Sequence, residues 1–139
     1  MKFKSPIAGY MLAYFIDEQG DAYLVAPNRE ATDGAYIVDA EKEYTFFSKH
    51  HADKTQMATD EIVVGTTKQR EINQLYILFS PNKLPKAPTE PGHIIVMGNM
   101  SGTTPPFTSH KDFQKYLTRC FRDKEFQIKK LRFSIEKMN

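Results

Sequence analysis

The sequence predicts a mainly β fold: an antiparallel β-sandwich or partly open barrel with one C-terminal amphipathic helix followed by a final strand. Three stretches carry that prediction. Residues 10–16, Tyr-Met-Leu-Ala-Tyr-Phe-Ile, are apolar on both parities of a strand, so both faces need cover, as for a central strand in a layered β structure. Residues 61–65 and 75–79 are two further compact apolar runs, separated by the polar residues 66–74, and they read as a second buried pair. Residues 109–121 alone repeat their apolar positions with the period of a helix.

Along the chain, the first element is a hairpin. Asp17-Glu18-Gln19-Gly20-Asp21 supplies the reversal, with Gly20 where the last loop residue takes positive φ, and Tyr23, Leu24 and Val25 form the return arm before Pro27 and Asn28 stop it. Residues 29–34 are polar and turn-rich. Ala35 to Val38 is a short β-like run that breaks at 39–42, with residues 44–47 as its return arm. A polar connection, 48–60, holds His50 and His51.

After Ser80-Pro81-Asn82 the chain changes character. In residues 83–109, Pro85, Pro88, Pro91, Pro105 and Pro106, together with Gly92, Gly98 and Gly102, leave only 93–97 as a strand candidate. A connection of that length is either a functional loop or a mobile one. Ser109 is then a good N-cap with Asp112 three residues on, and Phe113, Tyr116, Leu117, Cys120 and Phe121 fall on one helical face that must pack on the sheet. Lys111, Lys115, Arg119 and Arg122 fall opposite. Residues 126–135 are the final strand, and a parity change between Ile128 and Leu131 predicts a bulge at Lys129-Lys130 that keeps Phe126, Ile128, Leu131, Phe133 and Ile135 inward.

A chain of 139 residues suits one β-rich domain, 1–139, with the Pro/Gly-rich loop at 83–109 and a helix–strand closure at 110–136. The single cysteine, Cys120, forms no internal bridge, so disulfide usage leaves the redox compartment open. No run approaches a membrane span, and Met1-Lys2-Phe3-Lys4-Ser5-Pro6 lacks the apolar region of a signal peptide. The expectation is therefore a cytoplasmic protein, or a periplasmic or exported one from which an upstream signal or domain has been removed. The net charge of +2 is unevenly spread. From His110 onward nine Lys and Arg stand against four Asp and Glu, whereas the first 109 residues hold ten against thirteen. That split fits either a basic docking surface or two solvated faces of opposite sign.

Several of these residues form a recognisable set. Gly9-Tyr10 ahead of an apolar strand, Asp17, Gly20, a second strand ending Leu24-Val25-Ala26-Pro27-Asn28, and the later Leu75-Tyr76-Ile77-Leu78-Phe79-Ser80 together resemble a bacterial domain of unknown function, over roughly residues 5–82. That domain recurs as an accessory module beside caspase-like peptidase, protein kinase and other signalling or exported domains. The resemblance implies a β-sandwich-like module attached to something else, and it brings no active-site residues. Ala26 stands where that family tends to have a large apolar residue, and the Pro-rich loop and the helix lie outside the matching part.

Candidate chemistry is sparse. His50-His51-Ala52-Asp53 offers metal ligands or an acid/base pair, but no third ligand follows at a zinc-site spacing, so a solvated loop is the favoured reading. Asp17 to Asp21 lacks the alternating oxygen ligands and closing Glu of a calcium loop. Cys120 sits mid-face on the helix, where a buried hydrophobe is expected and a reactive thiolate is not. The hairpin aromatics Tyr10, Tyr14, Phe15 and Tyr23 suit core packing better than a sugar-stacking platform. No cofactor and no metal is expected, and no catalytic residue is assigned.

The functional expectation is accordingly a non-catalytic interaction module that presents the Pro-rich loop, with His93, Met97, Met100 and Phe107, to a protein or peptide partner or to a neighbouring domain of the same polypeptide. The first alternative is an anionic ligand (nucleic acid, lipid headgroup or acidic protein) bound by the C-terminal basic face of Lys111, Lys115, Arg119, Arg122, Lys129, Lys130 and Arg132. The second is a hydrolase using His50 or His51.

Overall fold

The structure is a computed structural model that describes residues 2–26, 35–45, 70–88, 94–97, 100–103 and 107–136; for 94–97, 100–103, 135 and 136 it describes the backbone. In chain order the elements are β1 (Lys2–Lys4), β2 (Gly9–Ile16), β3 (Ala22–Ala26), β4 (Tyr36–Val38), β5 (Glu43–Thr45), β6 (Arg70–Ser80), β7 (Ile94–Met97), β8 (Met100–Thr103), β9 (Phe107–Thr108), α1 (His110–Cys120) and β10 (Gln127–Glu136).

The apolar composition of both parities makes β2 the central strand. One of its edges pairs antiparallel with β6, from Tyr10↔Ser80 to Ile16↔Gln74. The other edge is shared end to end: β4 takes Gly9 to Met11, and β3 takes Ala13 to Ile16. With β10 outside β6 and β9 outside β3, the result is a six-stranded antiparallel sheet in the order β10-β6-β2-β3-β9, with β4 on β2. Its end strands β10 and β9 do not pair with each other, so the sheet is open and not a closed barrel.

Alternation along β2 sends Leu12, Tyr14 and Ile16 to one face and Met11 and Ala13 to the other. On the first face they join Leu24, Leu78 and the apolar stripe of α1, Phe113, Tyr116, Leu117 and Cys120. The Tyr14 and Phe113 rings lie 4.8 Å apart. On the second face Val25, Val38, Ile77 and Phe79 are covered by Tyr44 of β5 and Phe3 of β1, which pair as a separate two-stranded ribbon. Three layers result: helix, six-stranded sheet, ribbon. Gly9 is needed at the ribbon side because a Cβ there would collide with the Ser80 carbonyl and the Phe79 ring.

Four expectations are corrected. Residues 35–38 and the described part of 44–47 are not the arms of one hairpin: β4 joins the main sheet and β5 the ribbon, so the chain crosses between layers, and 46 and 47 lie outside the described residues. Leu75 to Phe79 belongs to a longer strand whose two edges are taken by β2 and β10, so its partners are those strands; residues 61–65 lie outside the described residues. The register of β10 on β6 runs unbroken from Gln127↔Phe79 to Glu136↔Arg70, without a bulge. The parity change is instead a division of apolar residues between two faces. Ile128 packs on the helix side, and Phe133 lies on the other with its ring 5.9 Å from Phe15. Phe121 caps the end of α1 and is 56% exposed, its ring edge-on to Phe126 at 4.9 Å, so it is not part of the buried helix face.

The described parts of 83–109 hold more regular structure than the prolines suggest. Leu84 is buried under α1, and the Tyr116 hydroxyl donates to the Pro85 carbonyl at 2.7 Å. Ile94 to Met97 is a strand as expected, paired with β8 through Met97↔Met100 to Ile94↔Thr103. Phe107 and Thr108 rejoin the main sheet against β3, and the Thr108 hydroxyl donates to the Pro88 carbonyl at 3.4 Å.

The β2–β3 turn is built as its sequence requires and is tied to the helix. The Asp17 carboxylate accepts from the amides of Gln19 and Asp21, each at 3.0 Å, and Gly20 has φ +85°. The Asp21 carboxylate then accepts from the His110 amide at 2.8 Å, placing negative charge at the N-terminus of α1, while Ser109 caps the helix by accepting from Asp112. A Cβ on Gly20 would run into the His110 imidazole. Gly20→Ala should therefore cost about 1–3 kcal/mol in urea unfolding, whereas the exposed Gln19→Ala should change stability by less than about 0.5 kcal/mol.

Candidate binding surfaces

The seven basic residues singled out in the sequence do not form one patch. Lys111, Lys115 and Arg119 are exposed on the outer face of α1, as their spacing predicts, and Arg122 is exposed in the turn just after it. Lys129, Lys130 and Arg132 lie on β10, where alternation separates them. Lys130 and Arg132 share the helix side, with the Lys130 ammonium 4.9 Å from the Tyr76 ring centre, and Lys129 is on the ribbon side. None of the seven has an ion-pair partner among the described residues. The nearby Asp123 carboxylate is occupied elsewhere. It accepts from the Ser80 hydroxyl, from the Asn82 amide side chain at 3.1 Å and from the Glu125 backbone at 2.9 Å, and these bonds hold its pKa below the ordinary carboxylate range.

On the ribbon side, a groove of about 360 Å³ runs between β1 and the β6–β10 pair. Phe3, Ile77, Phe79 and Leu131 give it apolar walls, and Lys2, Lys4 and Lys129 border it. Lys2 and Lys4 are paired with Glu43 at 3.4 Å and Glu41 at 3.6 Å, exposed contacts of the kind that contribute little to stability. Sequence reasoning missed this site because it took the first six residues only as a test for a signal peptide. The polar-apolar-polar alternation of Lys2-Phe3-Lys4 was the available strand signal.

The hairpin aromatics divide between two environments. Tyr14 is fully buried, and Tyr10 packs half-buried on the helix side. Phe15 and Tyr23 are half-buried on the opposite face, where they continue a row across four strands. Ring-centre separations are 5.9 Å from Phe133 to Phe15, 6.3 Å from Phe15 to Tyr23 and 5.4 Å from Tyr23 to Phe107. Phe107 is thus a sheet residue of β9 and not part of a free loop. Burial, with the charges of Asp17 and Asp21 beside it, raises the Tyr23 pKa. Met97 and Met100 are backbone register partners in the β7–β8 pair. His50, His51 and His93 lie outside the described residues.

Cys120 is 1% exposed in the helix-side cluster, which it shares with Tyr116 and Tyr14. Burial pushes its thiol up to about 11 and raises the hydroxyls of Tyr14 and Tyr116 as well. Neither the Tyr14 hydroxyl nor the Asn73 side-chain amide, both buried, has a hydrogen-bond partner among the described residues. Such orphaned groups cost stability and add no chemistry by themselves.

Among the described residues no three His, Cys, Asp or Glu side chains converge on a point that could hold a metal ion, and no helix is long and apolar enough to cross a membrane. No family model, curated protein or solved structure matches the chain.

The Cys120 environment fixes a pH response. Below its ordinary pKa of 9.0 the thiol is neutral in folded and unfolded chains alike. As pH rises from there towards about 11, only the unfolded chain ionises, so stability falls. Tyr14 and Tyr116 act in the same direction at higher pH. Between about pH 8 and pH 10.5 the unmodified protein should lose on the order of 1–2 kcal/mol more stability than Cys120→Ala, read from urea midpoints. At neutral pH a thiol-reactive probe should label the native chain far more slowly than the unfolded one, and labelling at equal rates would contradict the buried placement.

Proposed function

We propose that the protein is a non-catalytic accessory module in which the sheet-and-helix body holds out the β7–β8 hairpin for a protein or peptide partner. The observation that carries this reading is the anchoring of residues 83–109 at both ends. Leu84 and the Pro85 carbonyl are fixed under α1, Thr108 is hydrogen-bonded to Pro88, and Phe107–Thr108 is a strand of the main sheet. Between those anchors, β7 and β8 pair with each other and with no other strand among the described residues. Ile94-Ile95-Val96-Met97 is apolar on both parities, and a two-stranded ribbon by itself covers too little apolar surface to be stable. A partner would supply such cover, and anchored ends lower the ordering cost of binding. The resemblance that the sequence of residues 5–82 suggests to an accessory domain fits an accessory role and makes a neighbouring domain of the same polypeptide a candidate partner, but it does not extend to the hairpin.

A second reading rests on the exposed cations of α1. Lys111, Lys115, Arg119 and Arg122 stand on one side of the helix without described acidic partners, as an anionic ligand would require. The hydrolase alternative depends on His50 or His51, and nothing among the described residues adds to it.

Two variants separate the first two readings. Replacing residues 94–103 by a short Gly-Ser linker leaves both anchors in place and should keep the fold, because closing a loop depends only weakly on its length. Reversing Lys115, Arg119 and Arg122 to Glu touches no buried residue. In pull-downs from the native host, the linker variant should lose a partner that the charge-reversed variant retains. The opposite pattern would make the helix cations the functional surface.

A further inference from the structure

β10 is an end strand. Its inner edge pairs with β6 along all ten residues, and its outer edge pairs with no strand among the described residues. At about 3.4 Å per residue this is a regular free edge of roughly 30 Å, a ready template for another strand. Both faces beside that edge are basic: exposed Lys130 and Arg132 on the helix side, and Lys129 on the ribbon side beside Leu131, which is 39% exposed. Leu131 and Lys129 also form the near wall of the groove whose apolar side is Phe3, Ile77 and Phe79.

We propose that the outer edge of β10 takes an extended acidic segment of a partner protein as an added strand, with carboxylates over Lys130 and Arg132 on one face and an apolar side chain at the groove on the other. In this mode, backbone hydrogen bonds supply affinity, and alternate side chains supply specificity. The charge pattern chooses the occupant. Antiparallel pairing of β10 with a second copy of itself in a register centred near Leu131 would gather the Lys129, Lys130 and Arg132 of both chains around one centre, with Glu136 at the far end of each strand, and like charges across a ladder are destabilising. An acidic strand reverses the sign of that interaction, and an apolar residue at every second position matches the groove. This goes beyond the hairpin reading and does not depend on it: replacing residues 94–103 leaves β10 untouched.

The probe is a fluorescent peptide of about ten residues alternating Glu and Val, matched to the length of β10, measured by anisotropy at low salt. Two further versions carry backbone N-methyl groups at every Glu or at every Val, since successive residues of a strand direct their amides to opposite edges. The parent peptide should bind saturably, one methylated version should bind comparably, and the other should weaken about tenfold or more. Lys130→Glu with Arg132→Glu should weaken the parent by a similar factor, with circular dichroism unchanged. The variant lacking residues 94–103 should bind as the unmodified protein does, so this test and that of the hairpin fail independently. Equal binding by all three peptides, loss with both methylated versions, no saturable binding of the parent, or indifference to the charge reversal would each overturn the proposal. Tighter binding of a single-stranded oligonucleotide of equal charge would overturn it in favour of a nucleic-acid surface.

Discussion

The two-sided burial of β2 is the constraint on which the remaining structure depends. Met11, Leu12, Ala13 and Tyr14 are successive residues, each at most 1% exposed, so the strand needs a layer above, a layer below and a neighbour on each edge. Burial of one large apolar side chain contributes about 1.5–3 kcal/mol, and net domain stability is about 5–15 kcal/mol, so neither face can be left open. The helix covers Leu12 and Tyr14, and the ribbon side covers Met11 and Ala13. The pairing with β3 shifts register between Ala13 and Tyr14 and ends at Ala13↔Ala26, and β4 takes the same edge from Met11 to Gly9, so two short strands serve one edge.

The helix is tied to that centre at two heights. Its stripe of Phe113, Tyr116, Leu117 and Cys120 is held by dispersion and area, contacts that set distance but not register. Register comes from its ends. At the N-terminus, Asp21 of the hairpin turn accepts the His110 amide, and Gly20 gives the imidazole room. Beyond the C-terminus, Asp123 binds Ser80 and Asn82 at the end of β6. Both fixings use a carboxylate contributed by a turn, and they join the helix to the turn after β2 and to the end of β6. The helix stripe and the hairpin turn are therefore parts of one packing problem.

Much of this was visible in the sequence because it rests on local patterns. The two-parity apolar run of residues 10–16, the turn at Asp17 to Asp21, the Ser109 cap and the helical period of Phe113 to Cys120 each follow from short-range chemistry, and each is found. Reading failed where a residue's face depends on a distant neighbour. Leu131 and Phe133 fall on the opposite parity from Ile128, which a single buried face could accommodate only through a bulge. An edge strand between two half-covered faces accommodates it without one. The polar residues 70–74 gave no strand signal, yet β10 lies beside them and extends β6 back to Arg70. Met100-Ser101-Gly102-Thr103 has little β-favouring composition and is a strand because Ile94 to Met97 pairs with it. At the surface, the basic residues could be counted but not grouped, since grouping depends on register.

That grouping changes the meaning of the charge asymmetry. An excess of cations after His110 suggests a single basic face, but α1 carries its cations outward from the sheet while β10 deals its own alternately to both sides. The field of α1 is that of a solvated helix surface, open to counterions on all sides and screened within about 10 Å at ordinary salt. The β10 cations instead flank a strand edge that has no strand partner among the described residues, with an apolar groove beneath one side. Lysine on an edge strand is a common protection against self-association, and it works by penalising a partner of like charge. The penalty is specific in sign. A partner strand carrying carboxylates would meet attraction where a second copy centred on the same residues would meet repulsion, so the proposed acidic occupant follows from the sign of the charges beside the edge.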